Sequence, residues 1–364
     1  MLFFATAFEP DPFTAAVLQA AVLLIAIRFL DVWEREPTWL VCALAVWGAA
    51  GATIFAAAGN DALQALLSEP VRLVWGPAIY APVIEESAKG IVLLAALLAS
   101  WAAARHFGIA PQFDGPTDGM VYGAAVGVGF AFAENSFAFL NEAFTSAGRE
   151  VLAFREGFFN LNTLSHGVYT ATLGAGLGLA SWATARSARI AFALGGFAGA
   201  VLLHTLHNGL TSLILVSRHG LDATAVYYDG APMPPGLLEQ LDESFSSAIA
   251  AVRALDYALI ALFLVALVAW TAYQKRVLAA ELEAGVTRGA VTPGDRDLAL
   301  RPLHRAMGYL RLAREGRAGE IARRRSRIRA LTTSAFADWR ARGGLFPSPD
   351  PGPGRGLSVQ RARP

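Results

Sequence analysis

Seven apolar runs restrict the folds that this chain can adopt. They lie near residues 13–30, 38–58, 76–101, 117–140, 161–183, 190–215 and 248–273. Each is long enough for a helix to cross about 30 Å of hydrocarbon. Because a backbone inside a bilayer must satisfy its own hydrogen bonds, such runs form helices. The sequence therefore predicts an all-α fold, a polytopic membrane bundle of about seven transmembrane helices.

Composition excludes several other classes. Hydrophobic residues make up 55% of the 364 residues, too many for an ordinary soluble domain. Cys42 is the only cysteine, which excludes an intramolecular disulfide framework and a cysteine-based zinc site. Glu9 and Asp11 stand where a cleavable signal peptide would carry basic residues, so we expect none.

Charge divides the chain into two predicted parts. Residues 275–364 carry 19 Lys and Arg against 8 Asp and Glu, whereas residues 1–274 carry 11 against 21. We predict a transmembrane bundle over 1–274 and a basic tail over 275–364, helical between 298 and 338 and disordered at about 343–364, where Gly, Pro and Arg dominate. A tethered basic tail favours contact with an anionic inner leaflet of the lipid bilayer, and we expect no nucleic acid partner.

Basic residues in the short connections predict the orientation. One side carries Arg28, Arg35, Arg105, Arg186, Arg189, Lys275 and Arg276, while the few cations of the other side are diluted by acids. The positive-inside rule makes the first side cytoplasmic. The amino terminus is then outside, the basic tail is cytoplasmic, and the longest outside loop is 217–247, which contains three prolines.

Glycines four residues apart predict close helix contacts in three runs. The pairs are Gly123 and Gly127, Gly174 and Gly178, and Gly195 and Gly199. Small residues at this spacing let helix backbones approach without side chains between them. We expect these runs to form the packed centre.

Two adjacent carboxylates and an ammonium interrupt the third run. Glu85 and Lys89 are four residues apart, on one helix face, and Glu86 points about 100° away, so we expect Lys89 to pair with Glu85 rather than equally with Glu86. Charges at membrane depth persist when they are paired and face a bundle interior. Pro82, one turn earlier, frees a backbone carbonyl.

Further polar residues occur at similar predicted depths in the next runs. They are Glu134 and Asn135, His166, and His204 with Asn208. Although successive runs cross in opposite directions, all lie roughly 8–16 Å below the outer surface at the helical rise. Asp118 lies near the cytoplasmic end, so we interpret it as a structural contact. His207 is three residues from His204 and suits either the same pocket or a helix seam.

Such a cluster suits amide hydrolysis. A carboxylate withdrawn from bulk water can take a proton from an attacking water. Imidazole and carboxamide groups four apart on one helix, such as His204 and Asn208, can stabilise the developing oxyanion.

The four motifs resemble those of PrsW-type intramembrane proteases, within the wider group of CAAX prenyl proteases and bacteriocin-processing proteins. The motifs are Glu85-Glu-x-x-x-Lys89, Phe130-x-x-x-Glu134-Asn135, the isolated His166, and His204-x-x-x-Asn208. They occur in order on successive runs, and the resemblance covers about residues 75–215.

The resemblance implies roles for the motif residues. Glu85 would be the general base and Glu86 its partner; Glu134 and His166 would orient the water or carry protons; His204 and Asn208 would stabilise the oxyanion. Lys89 would be a structural charge partner. This glutamate mechanism needs no cofactor. Alternatively, Glu134, His166 and His204 could hold a divalent metal such as zinc, with Glu85 as the base.

The implied activity is cleavage of a single-span membrane protein, such as an anti-sigma factor, near its extracytoplasmic face in a bacterial-type cell membrane. Two other readings stay open. Buried Glu, Lys and His also build the proton relays of transporters and channels, although no inverted repeat pairs the runs. A scaffold would use the same residues as helix contacts. The oligomeric state is not predicted.

Overall fold

The computed structural model describes residues 12–29, 33, 36–108, 111–144, 161–229 and 243–341, and in these ranges the regular elements are helices. We number the α-helices α1 to α12 in chain order. They are α1 Pro12–Ile27, α2 Thr38–Val46, α3 Thr53–Gln64, α4 Glu69–Trp75, α5 Ala81–Phe107, α6 Pro116–Phe144, α7 Leu161–Trp182, α8 Arg186–Asp229, α9 Glu243–Thr287, α10 Pro293–Leu300, α11 Pro302–Arg314 and α12 Ala318–Ala341.

Two pairs of helices are joined end to end by π-helical segments. Trp47–Ala52 connects α2 to α3, and Gly76–Tyr80 connects α4 to α5. In the second segment, the Ala81 N–H donates to the Gly76 carbonyl, five residues back. The Pro77 carbonyl would then need an N–H from position 82, where proline has none. The chain thus continues as one rod with a carbonyl left over near the start of α5.

Helices α6 and α7 lie in backbone contact along a column of glycines. A Cβ added to Gly123 would lie 2.2 Å from the Thr170 carbonyl oxygen, and one added to Gly127 would lie 2.2 Å from that of His166. Gly174 and Gly178 meet the backbone of α6 just as closely. These contacts confirm the predicted role of the first two glycine pairs. The third pair is divided, because nothing lies within 4 Å of a Cβ at Gly195, whereas a Cβ at Gly199 would lie 3.1 Å from the Thr172 side chain.

Four stretches of the described chain are long and apolar enough to cross a membrane. They are Thr38–Gln64, Glu69–Phe107, Arg186–Ile214 and Val252–Thr287. Helices α6 and α7 are largely buried, and their glycine and polar residues lower their mean hydropathy. Such residues are tolerated there because the two helices contact protein rather than lipid. The predicted count of seven spans is therefore supported for four, and stays a prediction for the others.

The predicted outside loop at 217–247 is helical at both of its ends. Helix α8 continues to Asp229 across a kink at Gly220, whose φ of 76° suits glycine, and α9 begins at Glu243. Residues 230–242 lie outside the described residues. So do residues 342–364, which contain the segment predicted to be disordered.

The chain divides into two compact units. One comprises residues 1–30 and 36–263, and the other comprises residues 31–35 and 264–364. The second unit has its own core of apolar side chains, which are Trp33, Leu278, Leu282, Val291, Ala299, Ile328, Ala335 and Phe336. Its helices α10 to α12 fall where the sequence predicted basic helices. Thr292 caps α10, accepting a hydrogen bond from the Asp295 N–H at 3.1 Å.

Candidate active site

Four helices of the first unit bring the predicted acidic and imidazole side chains together. Helix α5 supplies Glu85, Glu86 and Lys89, and helices α6, α7 and α8 supply Glu134, His166 and His204 respectively. All except Glu134, which is 27% exposed at its side chain, are buried. Charged groups at such burial need partners. The surroundings of each group therefore indicate what it can do.

Glu86 is held by three donors and has no exposure to solvent. One carboxylate oxygen lies 2.9 Å from Lys89 Nζ and 3.2 Å from His204 Nδ1. The other accepts a hydrogen bond from the Thr170 hydroxyl at 3.1 Å. Glu86 thus ties α5 to α7 and α8, as a fully hydrogen-bonded carboxylate does.

Lys89 pairs with Glu85 as expected, but the expectation that Glu86 shares this contact less is wrong. Lys89 Nζ lies closer to Glu86, at 2.9 Å, than to Glu85 Oε2, at 3.5 Å. The reason is geometric, because residues three and four positions earlier flank the same helix face. The ammonium also lies 3.0 Å from His166 Nδ1 and 3.7 Å from the centre of the Phe130 ring, so protein surrounds it.

Glu85 contrasts with its neighbour because one of its oxygens is buried without a hydrogen bond. Among the described residues, Oε2 has no hydrogen-bond partner. Its neighbours include Lys89 Nζ at 3.5 Å and His204 Nε2 at 3.7 Å. An acceptor left in this state is costly unless a further group binds it. This oxygen is therefore available to a reacting molecule.

The partners of the two histidines fix where their protons lie. An ammonium has only donors, so His166 Nδ1 accepts from Lys89, and its Nε2–H faces Glu134 at 2.9 Å. The Glu86 carboxylate accepts from His204, so the proton of that ring is on Nδ1. His204 Nε2 therefore presents a lone pair toward Glu85 Oε2. Two acceptors that face each other can both bind one water molecule or one cation.

The geometry selects a metal-ligand set different from the one expected. Ligand atoms of Glu85, His166 and His204 lie within 4.8 Å of one another. Two imidazoles and a carboxylate are a common catalytic zinc set. Glu85 Oε2 lacks a partner and His204 Nε2 has a lone pair, and Glu86 supports the other nitrogen of that ring, as outer carboxylates do in metal sites. Glu85 and His204 thus fit a divalent metal, and His166 would complete the set by giving up its contact with Lys89 or Glu134. Glu85 takes the place expected for Glu134.

Asn208 has a contact with the backbone. Its side-chain amide donates to the Pro77 carbonyl at 3.1 Å. That is the carbonyl left over because Pro82 has no N–H, so a broken backbone near the site occurs as the sequence indicated. The expected role of Asn208 toward an oxyanion stays a prediction.

The other polar residues singled out in the sequence lie at different places. Asp118 accepts hydrogen bonds from the backbone N–H groups of Asp114 and Gly115, at 2.8 and 3.1 Å, which confirms a structural contact. His207 Nδ1 lies 2.7 Å from Asp256 Oδ2 on α9. Of the two positions predicted for His207, the contact between helices is therefore the one observed. Asn135, the residue after Glu134 in α6, is buried.

Three residues around the site were missed in the sequence. Thr170 binds Glu86, and Tyr169 stacks on His204 with ring centres 5.1 Å apart. Both follow His166 by one helical turn, which could have indicated them. Asp256 is 1% exposed and is the acidic residue of the apolar run at 248–273, a signal of the same kind as Glu85.

Comparison with known proteins identifies the family. A family model described as PrsW family intramembrane metalloprotease matches residues 36–228. The match contains the four motifs, begins upstream of the predicted 75–215, and ends before Asp256. No curated protein and no solved structure matches the chain. Because the match covers more than half of the 364 residues and confirms the resemblance of the motifs, the chain belongs to the PrsW family of intramembrane metalloproteases.

Proposed function

We propose that this multi-pass membrane protease hydrolyses a peptide bond with Glu85 as the general base. The observation that carries the proposal is the pair of acceptors, Glu85 Oε2 and His204 Nε2, which face each other 3.7 Å apart. A water bound by both has its protons directed at them and its lone pairs free to attack a carbonyl carbon. Attack passes one proton to Glu85, which later delivers it to the departing amine nitrogen as the C–N bond breaks.

The neighbouring groups would support this step without reacting themselves. Glu86 holds the His204 ring so that Nε2 keeps its lone pair. Lys89 places a positive charge 3.5 Å from Glu85 Oε2, close to where negative charge develops on the substrate oxygen. Glu134 holds the His166 ring through Nε2.

The family description and the donor set also support a divalent metal. Glu85, His166 and His204 would hold it, and His166 would exchange its contact with Lys89 or Glu134 to do so. A bound zinc ion would supply Lewis acidity and favour deprotonation of a bound water near neutral pH. In either mechanism Glu85 is required, so its substitution tests the site and a chelator tests the metal.

The proposed substrate is a single-span membrane protein that is cut near its extracytoplasmic face. The resemblance to PrsW-type proteases suggests an anti-sigma factor, released by a first cut. A helical peptide bond is shielded by its own hydrogen bonds. The substrate must therefore present an unwound stretch at the depth of Glu85.

The test is cleavage of candidate single-span proteins by the purified protein in nanodiscs. Glu85→Gln keeps the volume of the side chain but cannot accept the proton, so we expect cleavage to be lost while the protein stays folded. Glu69→Gln, on the exposed surface of α4, is the matched control and should cleave normally. Retained cleavage in Glu85→Gln would refute the base assignment.

The metal is tested in the same assay. Inhibition by a chelator, reversed by added zinc, would favour the metal mechanism, and full activity with a chelator would favour the metal-free one. A transporter using the same charges would instead show proton uptake that Glu85→Gln removes, without cleavage of any candidate. The family match favours the protease.

A further inference from the structure

The imidazole rings of His166 and His204 share a third aromatic neighbour, the ring of Tyr169 on α7. The centre of the Tyr169 ring lies 5.1 Å from that of His204, with 24° between the planes, and 5.8 Å from that of His166, with 69° between the planes. The two imidazoles are 4.8 Å apart at 88°. Aromatic pairs prefer such stacked and edge-to-face arrangements. Since Tyr169 is 2% exposed, the three rings form one buried cluster.

Hydrogen bonds fix the two imidazoles unequally. His166 has a polar partner at each ring nitrogen, Lys89 at Nδ1 and Glu134 at Nε2. Together with the bond to Cβ, these contacts fix three points and therefore the plane of the ring. His204 has one hydrogen bond among the described residues, between Nδ1 and Glu86 at 3.2 Å. Its bond to Cβ and this contact fix two points, so hydrogen bonding alone lets the ring turn about the line between them.

That turn would move the atom that faces Glu85. The lone pair of His204 Nε2 lies in the plane of the ring, and Nε2 is 3.7 Å from Glu85 Oε2. If the plane tilts, the two acceptors no longer face the same water molecule or cation. The Tyr169 ring, stacked against the imidazole face, opposes the tilt. A hydrogen-bond donor at Nε2 would also fix the plane, but it would occupy the lone pair, which an aromatic face leaves available.

Tyr169 itself is carried by a turn of α7 that lies in backbone contact with α6. A Cβ added to Gly127 would lie 2.2 Å from the His166 carbonyl oxygen. One added to Gly123 would lie 2.2 Å from the Thr170 carbonyl oxygen. The turn is therefore held on both sides of Tyr169. Side chains mounted on rigid elements hold a reacting group in place more precisely than side chains on loops.

We propose that Tyr169 is a positioning residue, whose ring orients the His204 imidazole so that Nε2 points at Glu85. The observation that carries the proposal is the stack on a ring that has one hydrogen bond in the described part of the chain. The stack is a property of the structure alone. Its effect on cleavage rests on the proposed function, in which Nε2 and Glu85 bind the same water.

Cleavage kinetics of the purified protein in nanodiscs test this role. Tyr169→Leu and Tyr169→Met keep apolar atoms in the space but remove the ring face. Each should lower kcat per folded molecule by about 10- to 100-fold and leave KM unchanged, because misplacing a reacting group by about 1 Å costs up to about 10²-fold. Tyr169→Phe is the matched control, since it keeps the ring and should retain the wild-type kcat.

Two kinetic results would overturn the proposal. One is a wild-type kcat in either folded variant that lacks the ring. The other is a Tyr169→Phe protein as slow as Tyr169→Leu, because the hydroxyl and not the ring would then carry the effect. If Tyr169→Leu cleaves normally while Glu85→Gln is inactive, only the positioning role is wrong. Cleavage by Glu85→Gln would refute the base assignment instead.

Nuclear magnetic resonance of the protein with ¹³C-labelled histidine measures the stack without any substrate. The ring current of Tyr169 shifts the signals of a stacked imidazole upfield, and His204→Gln identifies which signals belong to His204. We expect this shift in the wild type and in Tyr169→Phe, and its loss in Tyr169→Leu. Unshifted His204 signals in the wild type would overturn the proposal even if no variant without the ring folds.

Discussion

Glu85 and Glu86 are adjacent in sequence, yet their carboxylates have opposite surroundings. Glu86 binds an ammonium, an imidazole and a hydroxyl, whereas Glu85 has an oxygen with no hydrogen-bond partner in the described part of the chain. A carboxylate whose oxygens are all hydrogen-bonded stabilises the structure, whereas one with a free acceptor oxygen can bind a reacting molecule. The difference comes from the 100° between successive residues of a helix.

Lys89 should be essential to stability because two buried carboxylates share its charge. We predict that Lys89→Met lowers the free energy of unfolding by about 3–5 kcal/mol, the usual cost of an uncompensated buried charge. Reversible unfolding in mixed micelles measures it. The double variant Glu86→Gln/Lys89→Met should lose less than Lys89→Met, since one negative charge is removed as well. Wild-type stability in Lys89→Met would contradict the ion-pair assignment.

The residues that carry the site could largely be found in the sequence, but not their contacts. A charge in an apolar run is visible in one dimension, which is why Glu85, Glu134, His166 and His204 were found. The sequence could not show that Lys89 lies closer to Glu86 than to Glu85, because residues three and four positions earlier both flank the same helix face. Tyr169 lies one helical turn after His166, but a tyrosine in a membrane helix is ordinary, so only the stack on His204 shows its place in the site.

At the scale of elements, the contact of α6 with α7 positions His166. Gly127 lies against the His166 carbonyl, and an added Cβ would lie only 2.2 Å from that oxygen. The two helices would have to separate, which would shift His166 away from Lys89 and Glu134. The position of this imidazole is thus set by backbone contact.

Gly127→Ala should therefore destabilise the protein, and Gly195→Ala should not. Overpacking of a tight contact costs about 1–3 kcal/mol, whereas an open position gains up to about 1 kcal/mol from the better helix propensity of alanine. Nothing lies within 4 Å of a Cβ at Gly195. Thermal unfolding and cleavage should both be impaired in the first variant only. Equal effects of the two would mean that the glycine column is not a tight contact.

The π-helical segments show the limit of prediction at this scale. The break near Pro82 was expected because proline lacks a donor, and the structure adds the Gly76–Tyr80 segment and the Asn208 contact that satisfies Pro77. The other π-helical segment, Trp47–Ala52, contains no proline. Its position depends on packing against other helices, since Gly48 meets the backbone of α6 at Val126. Periodicity alone does not contain that information.

For the whole molecule, the orientation across the bilayer is still a prediction that two exposed positions can test. Leu66, three residues before the Glu69–Phe107 stretch, and Phe107, its last residue, are 81% and 77% exposed. The positive-inside rule places Leu66 outside and Phe107 in the cytoplasm. In a Cys42→Ala background, Leu66→Cys should react with a membrane-impermeant thiol reagent added to intact cells, and Phe107→Cys only after lysis. The reverse result would invert the topology.

The column of glycines between α6 and α7 also decides from which direction a substrate can arrive. Backbones in direct contact leave no slot for another chain, and separating them would dismantle the position of His166. The membrane-anchored substrate that we propose would therefore reach Glu85 through a different wall of the bundle. The contact between α6 and α7 is thus a barrier, and the proposed substrate would enter the bundle from another side.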